Sequence, residues 1–183
     1  MTVHTESLRL ASFFPDVFHV GAPDAPVGHE LWPRMPGVFI RKAAAAVAEP
    51  VEPVEPAETQ EPQPSPPLVR ELVVGQFGLV PRWVKSASDA KLRSPKLVNA
   101  RSETVTTSNN LREAWLAGQR CIVPMMAFFE DDFRSGKAVP TRISRVDGQP
   151  MGVAGLWESW TGAGGQTIVS YSLLTVNANS HAL

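Results

Sequence analysis

Apolar positions in this chain come in short runs separated by turn residues. Residues 71–80, "ELVVGQFGLV", are nearly continuous in apolar character and contain Gly75 and Gly78. That is the pattern of a β segment with glycines at points of close approach. Residues 120–130, "RCIVPMMAFFE", predict a buried strand, a turn at Pro124 and a second strand. Residues 139–146 and 151–157 predict strands around the turn "DGQP". "GAGG" then leads into "QTIVSYSLLTV", a further strand. The helical signature is confined to "SNNLREAWLAG" (108–118). There Ser108 or Asn109 can cap, Leu111, Ala114 and Trp115 form a stripe, and Gly118 can stop the helix. The front of the chain, residues 1–42, carries the aromatic anchors Phe13, Phe14, Phe18, Trp32 and Phe39 but few strands, and no internal repeat is visible. Strands outnumber short helices, so the expected class is α+β with a mainly antiparallel, barrel-like sheet and a few short helices.

One segment breaks the pattern. Residues 43–67 hold 7 Pro and 5 Glu and no Lys or Arg. Repeated Pro blocks helix and ladder hydrogen bonds, and the charge is of one sign. The expectation is an irregular or polyproline-like insert within a single domain spanning 1–183, because neither flank looks self-sufficient.

The insert changes how charge is read. Net charge is −1 overall, yet Arg70 to Arg145 carries 13 Lys/Arg against 7 Asp/Glu. Either a basic body is masked by an acidic insert, or the surface is an ordinary solvated mixture. The single cysteine, Cys121, excludes an internal disulfide and a thiolate cluster, and fits a reducing, cytoplasmic setting. A buried inert thiol is favoured over a nucleophile at that position. There is no run of about 18 apolar residues for a membrane span, and "MTVHTESLRL" is not built as a signal peptide. His4, His19, His29 and His181 lack metal-ligand spacing, and "GAGG" has no Lys and no following helix. No metal or cofactor is expected.

Three places combine polar groups with an apolar frame. In "VNARSETV" (98–105), Asn99, Arg101 and Glu103 alternate, so an extended backbone points all three to one side. Glu130 follows Phe128 and Phe129. It is either a partly desolvated acid suited to proton transfer or the first residue of the acidic turn Glu130–Asp132. Arg82 and Trp83, beside Pro81, can contact a phosphate and stack on a base, or form a core edge.

In this order, "ELWPRMPGVFIRK" (30–42), "FGLVPRWV" (77–84), "NARSETV" (99–105), "LREAWLAGQRCIVPMMAFFE" (111–130), "SGKAVPTRI" (135–143), "GVAGLWESW" (152–160) and "LLTVNANSHAL" (173–183) resemble the SOS-response-associated peptidase family of abasic-site processing proteins. The resemblance implies a compact β-rich domain, here a monomer, that binds single-stranded DNA carrying abasic sites, in a cytoplasmic, nucleoid-associated setting. In the family, a cysteine exposed by removal of the initiator Met captures the ring-opened sugar aldehyde: its amine forms a Schiff base and its thiolate closes a thiazolidine. The resemblance maps the active-site Asn onto Asn99, the glutamate onto Glu130 and a phosphate-contacting Arg onto Arg101. Arg82, Trp83 and Thr175 are expected to add DNA contacts. Steadying of Arg101 by Glu103 is inferred from the alternation alone.

Two departures stand out. Thr2 occupies the position of the cysteine, and its hydroxyl is a far weaker trap than a thiolate near pH 7. His181 is too early to match the family's catalytic histidine, so the expectation is that the family's C-terminal part is lacking. An incomplete gene product leads the explanations. A degenerate paralogue that binds DNA without crosslinking and a weak amine catalyst at Thr2 follow. No nucleophile–base pair supports a general protease, which leaves at most self-processing of Met1.

Overall fold

The structure, a computed structural model, describes residues 4–24, 28–43 and 69–177. Thr2, His181 and nearly all of the Pro/Glu-rich segment lie outside the described residues. In chain order the elements are β1 (His4–Glu6), α1 (Phe13–Phe18), β2 (Glu30–Leu31), β3 (Pro36–Lys42), β4 (Arg70–Phe77), α2 (Ala87–Arg93), β5 (Asn99–Arg101), α3 (Arg112–Leu116), β6 (Arg120–Met125), β7 (Ala127–Asp132), β8 (Val139–Ser144), β9 (Met151–Thr161) and β10 (Thr167–Thr175).

The larger sheet runs β4-β3-β6-β9-β10-β5, and β4 also pairs with β10. That pairing closes five strands into a barrel and leaves β5 alongside β10. The ladders are antiparallel except those of β10 with β4 and with β5. A smaller sheet, β2-β1-β7-β8, stands beside the barrel. The expected α+β, barrel-like class is therefore the observed one.

Closure follows from side-chain alternation. Phe39, Phe77, Cys121, Val123, Met125, Tyr171 and Leu173 turn inward and bury one continuous core. The rings of Phe39 and Phe77 each lie 5.5 Å from that of Tyr171, centroid to centroid. Val38 and Ile40, on the other face of β3, pack under Phe14 and Val20. Trp160 has no exposed surface, packs with Val80, Val84 and Ala90, and donates to the Val84 carbonyl at 2.6 Å.

Several local readings shift. Pro124 sits inside β6, and the chain breaks at Met126 instead. β6 meets β3 at a single register position, Ile40 with Ile122, so the N–H that proline lacks is not demanded there. The strands flanking "DGQP" are not partners: β8 belongs to the small sheet and β9 to the barrel. Glu130 lies within β7, opposite Thr141, and the turn opens only at Phe133, whose carbonyl accepts from Gly136. Helix α2 has a start signal at Ser86, whose hydroxyl accepts from the backbone N–H of Asp89 at 3.2 Å.

Candidate functional site

The seam between the small sheet and the barrel holds a cavity of about 260 Å³. Phe128 and Glu130 of β7, Ile143 of β8, Val153 of β9 and Leu173 to Thr175 of β10 line it, with Val176 just beyond. Period-two alternation puts Phe128 and Glu130 on one side of β7, facing the seam. Glu130 is thus a half-buried acid in a mostly apolar frame.

β5 brings the amide and the guanidinium to the same place. It pairs in parallel with β10, Asn99 opposite Leu173 and Arg101 opposite Thr175. Leu173 and Thr175 both line the Glu130 cavity, so Asn99 and Arg101 flank it at one strand's width. Asn99 is buried and Arg101 exposed. The fold therefore puts Glu130 and Thr175 in the cavity wall and Asn99 and Arg101 on the next strand.

The alternation expected through Glu103 ends early. β5 stops at Arg101, and the chain turns from Ser102. Glu103 is exposed, and its carboxylate accepts from the backbone N–H of Asn177 at 2.8 Å. Its own backbone N–H and that of Asn177 hold its carboxyl below the usual carboxylate range, with Arg101 the smallest of the contributions. Glu103 thus fastens the end of β10 to the β5 turn more than it steadies Arg101.

Arg82 and Trp83 lie elsewhere. Arg82 Nη2 donates to Glu158 Oε1 at 2.8 Å, and Glu158 is only 1% exposed. Gln119 Nε2 and the Ser159 N–H reach the same oxygen at 3.2 and 2.9 Å. Trp83 Nε1 donates to the Asn109 carbonyl at 3.0 Å, and the Arg93 guanidinium sits 4.6 Å from its ring centroid. A base stacking on that face of Trp83 would have to displace Arg93. Trp83 instead lines a second cavity with Asn109, Arg112 and Glu113. The sequence reading missed Glu158; its only signal is an acid in the otherwise apolar alternation of "LWESW".

Cys121 is buried in the barrel core, and burial pushes its thiol up to about 12. Its thiolate fraction at pH 8 is then about 10³-fold below that of an ordinary cysteine. A disulfide reagent should react much more slowly with the native protein than with the protein in denaturant, and equal rates would contradict the burial. Among the described residues no three His, Cys, Asp or Glu groups gather as metal ligands. Nor is any helix among them long and apolar enough to cross a membrane.

A five-strand barrel with a satellite sheet, a half-buried acid at the seam and an amide–guanidinium strand beside it defines a distinct class of protein. The chain belongs to the SOS response associated peptidase (SRAP) family, whose model matches residues 23–182. It is 32% identical over 105 residues to the abasic site processing protein YoaM of Bacillus subtilis, covering 57% of this chain and 44% of that protein. It is 26% identical over 129 residues to the abasic site processing protein HMCES of Gallus gallus, covering 60% and 38%. The match spans less than half the length of each of these relatives. A crystal structure of a protein from Bordetella bronchiseptica is similar with a TM-score of 0.77 and 35% identity, covering 99% of this chain and 75% of that one.

Proposed function

We propose that this chain takes part in processing abasic sites in DNA and holds the damaged, unpaired strand at the β7–β10 seam. The observation that carries the reading is that Glu130 and Thr175 line one cavity, while Asn99 and Arg101 sit on the strand paired with β10 beside it. A ring-opened abasic sugar presents an aldehyde and flanking phosphates. Arg101, exposed at the rim, suits a phosphate as a charge-assisted donor. Glu130, in its apolar frame, suits proton transfer to a carbonyl oxygen.

The covalent partner in this reading is the amine of Thr2, which becomes free when the Met1–Thr2 peptide bond is hydrolysed. Its nitrogen attacks the aldehyde carbon, the carbonyl oxygen leaves as water after two proton transfers, and an imine remains. A hydroxyl in place of a thiolate leaves that imine untrapped. Binding with transient capture is therefore the function assigned to this chain, and a heat-stable crosslink is not.

An oligonucleotide with one abasic site, run on a denaturing gel, tests this. The wild type should give a shifted band only when borohydride reduces the imine. Thr2→Cys should give a shifted band without reductant. Arg101→Ala should weaken binding and flatten the salt dependence by about 0.7 per lost phosphate contact. A heat-stable band from the wild type would overturn the untrapped imine. No capture under borohydride would leave only a non-catalytic binder, and no binding at low salt would remove the reading entirely.

A further inference from the structure

Three aromatic rings form a ladder that the seam site does not use. The His4 ring is centred 4.1 Å from that of Trp32 and 4.0 Å from that of Phe129, and each pair lies within 14° of parallel. His4 and Phe129 are register partners on β1 and β7, and Trp32 directly follows β2. Because Phe128 and Glu130 face the seam, Phe129 and the ladder face the opposite side of the small sheet.

The two ends of the ladder differ. Beyond Phe129 the register partner is Arg142, whose Nε and Nη2 are both committed to the Glu6 carboxylate at 2.7 Å. At the other end Trp32 has one face against His4 and is still 44% exposed. His4 itself is 8% exposed, and its buried Nδ1 has no hydrogen-bond partner among the described residues, so the middle ring serves the ladder as an aromatic surface.

The Trp32 turn is fixed in place. The Met35 N–H returns to the Trp32 carbonyl at 3.0 Å, and the Trp32 N–H points to Met35 Sδ at 3.3 Å. Arg34 has a φ of 73°, uncommon for a side-chain-bearing residue, and its N–H is held by the Phe77 carbonyl at 2.7 Å. Its side chain is exposed, and no acid among the described residues pairs with it. An exposed indole on a fixed aromatic stack, with an uncompensated guanidinium two residues away, has the two parts of a nucleotide contact. A base offers a π-face to the ring, and its phosphate offers charge to the arginine.

We propose that the open face of Trp32 is a nucleobase-stacking site and that Arg34 takes the adjoining phosphate. A single-stranded nucleic acid would then be held on the face of the small sheet opposite the Glu130 cavity. The ladder gains a fourth ring, and the strand is gripped away from the damaged residue. This rests on the reading that the chain binds unpaired DNA. It requires neither an abasic site nor the amine at Thr2.

A short intact oligonucleotide containing one 2-aminopurine tests the site. Binding to the full chain should quench the 2-aminopurine emission as the base stacks. Trp32→Ala should abolish the quench and weaken binding about 5- to 150-fold, the range for loss of one base–aromatic stack. Trp32→Phe should restore most of both, which a merely structural defect in Trp32→Ala would not explain. Arg34→Asn, which tolerates the positive φ, should weaken binding and lower the salt slope by about 0.7. Binding and quenching by Trp32→Ala equal to the wild type would overturn the stacking site and leave the DNA-binding reading standing. No binding by the wild type at low salt would overturn both.

Discussion

Arg82→Ala should lower stability by about 2–3 kcal/mol, which is more than Glu158→Gln should cost at the other end of the same ion pair. The asymmetry comes from burial. Arg82 has 58% of its side chain exposed, so on losing its partner it is rehydrated. Glu158 has 2% of its side chain exposed and cannot be. Removing the arginine leaves a buried carboxylate with Gln119 Nε2 and the Ser159 N–H as its donors among the described residues. Leaving a charged group short of its hydrogen bond in the interior costs about 1.5–3 kcal/mol. Glu158→Gln keeps an acceptor for Gln119 and Ser159 and frees an arginine that water can serve, at about 1 kcal/mol. Urea unfolding of Arg82→Ala, Glu158→Gln, Glu158→Ala and the Arg82→Ala/Glu158→Ala double variant measures this. The double variant should fall no further than Glu158→Ala alone, so the coupling should be about 2–3 kcal/mol, the whole of the Arg82→Ala loss. Equal losses in the two single variants would mean that Glu158 is hydrated after all. For function, a fall in DNA binding by Arg82→Ala means loss of a phosphate contact only if the variant is folded at the assay temperature.

Much of this architecture is legible in the residues, and where it is not the physical reason can be named. β4, β6, β9 and β10 announce themselves because both periodicity and turn punctuation mark them. The break at Met126 does not, since a proline two residues earlier is the stronger local signal. Only the sparse β3–β6 pairing makes Pro124 harmless. The separation of β8 from β9 is equally hidden, because a six-residue link containing "DG" suits a hairpin as well as a change of sheet. At the site, Asn99 and Arg101 stand out as polar groups inside an apolar stretch, and β10 joins them to the Glu130 cavity. The Glu103 expectation fails because alternation holds only while the chain stays extended, and β5 is three residues long. The side-chain partners of Glu158 and the Trp32–His4–Phe129 ladder are invisible in the sequence for a common reason. Each depends on side chains more than twenty residues apart meeting across strands, which no local spacing encodes.

Gly78→Ala should cost about 3–4 kcal/mol, and its control is Gly136→Ala. Gly78 has a φ of +105°, well outside the region an alanine adopts without strain, and a Cβ there would run into the Ser94 carbonyl. Ser94 is itself fully buried and opens the 3-10 turn Ser94–Lys96 that leads into β5. Gly78 also fixes the chain from its other side, where its N–H donates to the Tyr171 carbonyl at 2.8 Å. The cost has two parts: about 1–3 kcal/mol for the backbone and about 1–3 kcal/mol for overpacking against a backbone atom that cannot swing away. Gly136 has a φ of +80°, but no described residue lies within 4 Å of its would-be Cβ. It isolates the backbone part, at about 1 kcal/mol. In a chain of 183 residues, a loss of 3–4 kcal/mol lowers the melting temperature by about 6–16 °C. Thermal melts of the two variants side by side would show it, and equal shifts would mean that the Ser94 carbonyl gives way. The turn after Gly78 and the 3-10 turn before β5 touch at this point, and Leu79 N–H donates to Leu97 O at 3.1 Å. Forcing them apart should also displace Asn99. Gly78→Ala should therefore weaken borohydride-dependent capture of an abasic oligonucleotide at temperatures where the variant is still folded, an effect Gly136→Ala should not show.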